Sequence, residues 1–183
     1  MSRKLSLLLV TLSLAGSAIA SPAAAEASGL IAPASTCPGQ VRLNAPPAAQ
    51  ESTMRCMTDF ARAQAGLAEL ASVEQLEQSA GSKAEDILRC DSFSHFACGR
   101  EFTYWMQQTG YTSSQCWRVG ENLAWGTDGY GTVRAIFRAW MRSPDHRENV
   151  LDDFAQVGVS LRVGTLAGQS QTHVWAQHFG SHC

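Results

Sequence analysis

Residues 140–151 read Trp-Met-Arg-Ser-Pro-Asp-His-Arg-Glu-Asn-Val-Leu, and this stretch divides a helical region from a strand-rich C-terminus. On its N-terminal side Val133, Ile136, Phe137 and Trp140 recur at helical spacing. That pattern predicts a helix over residues 132–141, closed by Ser143-Pro144 because the residue before a proline is pushed out of helical geometry. Trp140 carries a large apolar area, so it is expected to be buried against a sheet. On the C-terminal side Val157, Val159 and Leu161 alternate within residues 156–163, and residues 173–179 form a second strand-like piece. The two can pair as a hairpin across residues 164–171, and residues 118–125 add a third strand.

The preceding chain is helical. Residues 48–65 contain no Pro or Gly and place Met54, Met57, Phe60, Ala61 and Ala65 near helical spacing before Gly66. A second helix is expected from Ser72, with Gln75 as its capping-box partner. Its apolar stripe is Val73, Leu76, Ala80, Ala84, Ile87 and Leu88. A third covers residues 100–108, ahead of Gly110. Helices and strands mix without a βαβ rhythm or an internal repeat, which makes the class α+β.

The 183 residues suit one domain. Arg3 and Lys4, the apolar run 5–15 and the small-x-small triplet Ala18-Ile19-Ala20 have the three parts of a secretory signal, expected to be removed as residues 1–20. A membrane span is not expected, because Thr11, Ser13, Gly16 and Ser17 interrupt the run. Residues 21–50, rich in Ala and Pro, read as an arm or linker, and residues 51–183 as the domain. The formal charge is −2, and losing Arg3 and Lys4 makes it more negative. With arginines scattered among acids there is no basic face, which argues against nucleic acid. The expectation is a secreted monomer, extracellular or periplasmic.

Six cysteines, an even count with no C-x-x-C pair, point to disulfides in an exported chain rather than to a zinc-cysteine or redox motif. Spacing leaves 15 connectivities open. The expected pairs are Cys98–Cys116, closing a short loop around the third helix, then Cys37–Cys56 as a clasp on the arm, with Cys90–Cys183 left by elimination.

Four clusters carry the chemistry: Phe93-Ser94-His95-Phe96, Gly120-Glu121-Asn122-Leu123-Ala124-Trp125-Gly126, the 140–151 stretch, and Val174-Trp175-Ala176-Gln177-His178-Phe179-Gly180. Their order and spacing over residues 52–180 resemble the bacterial branch of the CAP (SCP-like) superfamily, which includes cysteine-rich secretory proteins, antigen 5 and pathogenesis-related 1 proteins. The resemblance implies a three-layer α-β-α sandwich with a mainly antiparallel central sheet and a central cleft holding two His and two acids. Carried over by residue, His95 is the first histidine, Glu121 the first acid and His146 the second histidine. The second acid has no counterpart: Ser143 is what stands near its place, and Asp145 replaces a glycine common in bacterial relatives.

Two imidazoles and a carboxylate can hold a divalent metal with open positions, or orient and deprotonate a water. His95 and His146 are thus the candidate metal ligands, weak zinc the candidate ion, and Ser143, Asn122 and Asn149 the expected cavity lining. Blander roles exist for each. His95 could be a satisfied core histidine, His146 could cap the fourth helix, and Asn122 and Asn149 could pin loops through backbone bonds. His173, His178 and His182 are expected to face solvent or cap the sheet. No Gly-x-Ser-x-Gly elbow supports a serine hydrolase. The incomplete acid pair favours an extracellular module that binds a lipid, glycan or peptide. The alternatives are a hydrolase acting on peptide or cell-envelope material, with Glu121 as base, and a purely structural surface protein.

Overall fold

The computed structural model describes residues 29–183; the expected signal, 1–20, and the first residues of the arm lie outside them. Four strands, β1 Ala71–Ser72, β2 Trp117–Gly126, β3 Gln156–Leu166 and β4 Gln169–His182, form one sheet in the order β1-β3-β4-β2. β2, β4 and β3 pair antiparallel, and two-residue β1 lies parallel to β3. The expected hairpin forms with a tighter turn than residues 164–171: Leu166 pairs with Gln169 across Ala167 and Gly168, whose φ angles are 49° and 75°. Positive φ at both central residues matches the turn to the strand twist.

Five helices, α1 Pro47–Gln64, α2 Glu74–Arg89, α3 Tyr104–Gln108, α4 Val133–Arg142 and α5 Pro144–Leu151, complete the described elements with three short 3-10 turns. Strand alternation sorts the core into two halves. Val157, Val159, Leu161, Trp175 and Phe179 meet Met54, Met57 and Ala61 of α1, Ile136, Phe137 and Trp140 of α4, and Val150 of α5. On the other face Leu123, Val174 and Ala176 meet Ala80, Ala84 and Ile87 of α2. Helices therefore cover both faces of a mainly antiparallel sheet, an α-β-α sandwich. Trp140 is 1% exposed, as its apolar area demands, and its indole Nε1 donates to the Leu123 carbonyl at 3.1 Å.

α2 lies unusually close to the sheet. A Cβ on Gly158 would stand 2.0 Å from the Leu76 carbonyl carbon, so only glycine lets the first turns of α2 settle on β3. This approach brings Ser79 and Lys83 down onto β4 and β2.

Several sequence expectations change. Ser72 belongs to β1, Val73 is the extended N-cap of α2, and the Ser72–Gln75 capping box is absent; Ser72 Oγ instead donates to Glu77 Oε1 at 2.5 Å. Pairing with β3 holds residue 72 extended, which overrides the local cap. The third helix starts at Tyr104 rather than Arg100, because Arg100 is extended and both Asp86 oxygens hold its Nη1, at 2.7 and 2.6 Å. Pro144 closes α4 as expected but also opens α5, since a proline at the first helical position loses no intrahelical bond.

The disulfides are Cys37–Cys56, as expected, with Cys90–Cys98 and Cys116–Cys183 in place of Cys98–Cys116 and Cys90–Cys183. The reason is register. Trp117 pairs with His182, so Cys116 and Cys183 are the next neighbours across the strands, with Cα atoms 5.5 Å apart. Cys90 ends α2, and the chain folds back to set Cys98 at the same Cα separation, 5.5 Å.

The described part of the arm packs on the body. Ala32 and Cys37 are fully buried, Gln40 Nε2 donates to Ala32 O at 3.0 Å, and Gln50 of α1 donates to Leu43 O and Ala45 O. Arg62 of α1 ties the opposite end: its guanidinium donates to Ala68 O, Val150 O, Asp152 O and Phe154 O, satisfying carbonyls at the end of α5.

Candidate functional site

Glu121 lies directly across from His178 in the β2–β4 register, so both side chains project toward α2. The carboxylate is 2% exposed and both of its oxygens are engaged. Oε1 bonds His95 Nδ1 at 2.6 Å and Oε2 bonds His178 Nε2 at 2.8 Å. Lys83, whose side chain is 1% exposed, places Nζ 3.9 Å from Oε2 and donates to the His95 carbonyl at 2.6 Å. His178 Nδ1 meets Ser79 Oγ at 2.7 Å, and Ser79 Oγ also bonds Leu76 O at 3.0 Å. A chain of contacts thus runs from α2 through His178 and Glu121 to His95.

Burial pushes the Glu121 carboxyl up, yet the hydrogen bonds from His178 and His95, with the charges of His178 and Lys83, outweigh it and hold the carboxyl below its ordinary range. Glu121 is therefore ionised and acts as an acceptor only. Burial lowers the Lys83 ammonium, against the pull of Glu121, Asp86 and Glu101. An ionised Glu121 requires Nδ1–H on His95 and Nε2–H on His178 as donors.

His95 is the outward end of this network. Its side chain is 51% exposed, and its Nε2 has no hydrogen-bond partner among the described residues. Exposed Phe93 and Phe96 flank it, and Phe93 stacks edge-on against half-buried Trp125 with ring centroids 6.4 Å apart. The arrangement fixes one imidazole nitrogen inward and offers the other to an incoming group.

His146, on α5, is half-buried and makes no ring hydrogen bond to Glu121. Burial lowers its imidazolium, and the charge of His95 lowers it further, so the two rings are electrostatic neighbours. Asn122 Nδ2 donates to His146 O at 3.0 Å, while Asn149 Nδ2 donates to Asn122 Oδ1 at 2.9 Å and to Glu121 O at 3.3 Å. These amides pin α5 to β2. A Cβ on Gly120 would lie 3.0 Å from Asn149 Oδ1 and 3.1 Å from Phe154, which explains a glycine before Glu121 in this strand. Ser143 is the half-buried N-cap of α5 and makes no side-chain cap bond.

His178 and Lys83 are the participants that sequence reasoning missed. His178 neither faces solvent nor caps the sheet, being fully buried against Glu121 and Ser79. His173 is also buried and approaches the arm through Leu43 O, whereas exposed His182 reaches Tyr111 O near the sheet end. Lys83 did leave a signal. It lies on the same helical face as Leu76, Ala80, Ala84 and Ile87, where a cation needs a buried partner.

The donors at hand do not suit a resident metal ion. Both Glu121 oxygens serve histidines, leaving His95 Nε2 and His146 as the nearby nitrogens, and no group of three or more His, Cys, Asp or Glu able to hold a metal occurs among the described residues. A structural or catalytic zinc takes at least three protein ligands.

A family model described as the cysteine-rich secretory protein family, CAP, matches residues 57–179. The chain belongs to the CAP family. Uncharacterized protein YkwD of Bacillus subtilis is 30% identical over 124 residues, 67% of this chain. The chain spans 44% of the length of that relative. The CAP fold is also that of an outer surface protein from Borrelia burgdorferi, at a TM-score of 0.59 and 19% identity over 72% of this chain and 92% of that one. An extracellular SCP-domain protein from Bacillus anthracis matches with a TM-score of 0.59 and 21% identity, over 73% of this chain and 40% of that one. A CAP domain with three disulfides fits an extracellular protein. No described helix is long and apolar enough to cross a membrane.

Proposed function

We propose that this CAP domain is a secreted ligand-binding module whose recognition group is the outward face of His95, between Phe93 and Phe96. The carrying observation is that Glu121 is fully used in holding His95 and His178. A carboxylate with a histidine on each oxygen and 2% exposure is closed to solvent, so it fits the role of general base poorly. It fits an anchor well. One imidazole nitrogen then meets a polar group of the ligand, and the phenyl rings meet its apolar part. A lipid, glycan or peptide supplies both kinds of surface.

The test is a binding screen of the mature protein against phospholipid vesicles, peptidoglycan fragments and casein-derived peptides, with wild type beside His95→Ala. One class retained by wild type and lost by the variant supports the reading. Equal binding by both proteins to every ligand bound would remove His95 from recognition.

A hydrolase is the second reading, and one observation favours it: the His95–Glu121 pair resembles an oriented base, with the carboxylate on Nδ1 and Nε2 free. In that case His95, not Glu121, takes the proton and Glu121 orients it. Turnover of casein, peptidoglycan or an ester panel, abolished by His95→Ala, would support this second reading over the first.

A further inference from the structure

We propose that the Cys90–Cys98 disulfide is an exchangeable latch on the His95 loop, opened when an external thiolate attacks Cys90 and Cys98 leaves. The bridge closes residues 91–97, the loop that carries Phe93, His95 and Phe96. It stands apart from the other two. Cys37, within the arm, is fully buried, and Cys116–Cys183 joins strand ends that β2–β4 pairing already holds in register.

The two sulfurs are unlike. Cys90 is exposed and sits at the C-cap of α2, where the helix dipole disfavours a new negative charge. Cys98 is half-buried, and its Sγ lies 3.3 Å from the Asp86 carbonyl and 3.5 Å from Arg89 Nη2, whose full positive charge outweighs the carbonyl's partial one and stabilises a thiolate. The nearby Asp86 carboxylate is already matched by Arg89, Arg100 and the Trp105 indole. An accessible sulfur to attack and a better leaving thiolate behind it define the direction of exchange.

The reagent is a low-molecular-weight thiol or a thiol–disulfide oxidoreductase. Its thiolate forms a bond to Cys90 Sγ as the Cys90–Cys98 bond breaks, and the electron pair departs on Cys98 as thiolate. A second thiol then attacks the mixed disulfide, releasing Cys90 as thiolate and leaving the two reagent sulfurs joined as a disulfide. The protein disulfide is thereby reduced and the reagent oxidised.

Opening matters because the loop is bent at both ends. Asp91, at φ 45°, is the left-handed residue of the α2 cap, held by its own N–H on Leu88 O and by Ser92 N–H on Ile87 O, whereas Cys98, at φ 57°, takes a left-handed conformation that persists when surroundings enforce it. With the bridge gone, the Cys98 end of the loop loses its covalent tie while the Asp91 end stays capped, and His95 is held by Lys83 on its carbonyl and Glu121 on its ring. Reduction therefore loosens the recognition group itself.

The experiment treats the mature protein with graded reduced glutathione, traps free thiols by alkylation and maps the peptides, with His95 imidazole signals followed by NMR. The expected result is glutathione on Cys90, alkylation on Cys98, Cys37–Cys56 intact, and His95 signals that shift on opening and return on reoxidation. Amide exchange across residues 91–97 should rise by about tenfold or more. Arg89→Gln should slow opening by about threefold or more, and Arg89→Lys should restore it. A Cys90→Ser, Cys98→Ser variant supplies a permanently open loop whose His95 signals should match the reduced protein. Glutathione on Cys98, an opening rate indifferent to Arg89, or His95 signals unmoved by reduction would each overturn the proposal.

Discussion

Replacing Glu121 by Gln removes one negative charge and leaves the shape. In the native protein that charge accepts hydrogen bonds from His95 at 2.6 Å and His178 at 2.8 Å, and it is the nearest anion to Lys83, at 3.9 Å, whose side chain is 1% exposed. The amide keeps one acceptor but turns an N–H toward an imidazole N–H, and Lys83 is left buried without that counter-charge. Removing one partner from a buried ionic group costs about 3–5 kcal/mol. A marginal domain holds about 5–15 kcal/mol in all, so the loss is large but measurable. Deprotonation of Lys83, already favoured by its burial, is the route that limits the cost. The assay is urea unfolding of both proteins across pH. The folded carboxyl is depressed below its ordinary 4.5, so the stability it contributes is fully present above 4.5 and disappears as pH falls through the lower folded value. The gap between wild type and Glu121→Gln should therefore be widest at neutral pH and narrow below 4.5. A neutral-pH gap under about 1 kcal/mol, the scale of an exposed ion pair, would refute the buried network.

Other consequences follow from the packing and the donor set. Trp140→Ala removes a fully buried indole together with its bond to Leu123 O, and should cost about 3–5 kcal/mol in a urea melt. Arg62→Met leaves the carbonyls of Val150, Asp152 and Phe154 without their donor, and should lower stability by about 1–3 kcal/mol; an unchanged melt would show that solvent serves those carbonyls equally well. Zinc calorimetry should give weak binding at most at pH 7.5, from His95 Nε2 and His146, and weaker binding at pH 5.5, because protons compete with the metal for its ligands. Tight binding, or binding that survives His95→Ala with His146→Ala, would place a metal elsewhere.

The architecture was largely legible because its signals are local. Alternation in Val157, Val159 and Leu161 and helical spacing in Val133, Ile136, Phe137 and Trp140 each survive into the core. What escaped depends on register or on long-range pairing. β1 is two residues long and exists only through β3. Pro144 carries a stop and a start in the same residue, and the local pattern announces only the stop. The disulfides Cys90–Cys98 and Cys116–Cys183 follow from how α2 turns back and how β2 meets β4, neither of which spacing encodes. The same holds at the site. Glu121 and His95 share a hydrogen bond, and His178 joins them because it lies opposite Glu121 across two strands distant in sequence. His146 comes near His95 without joining the hydrogen-bonded network.

Glu121 holds the Nδ1 side of His95 and leaves Nε2 without a partner among the described residues. Nitrogen-15 NMR of the neutral histidines reads the tautomers directly, since each ring nitrogen reports whether it carries hydrogen. Neutral His95 should be protonated at Nδ1 and bare at Nε2, neutral His178 should be protonated at Nε2, and Glu121→Gln should disturb both. A neutral His95 protonated at Nε2 and bare at Nδ1 would contradict this arrangement, because an ionised Glu121 could not then accept from that ring.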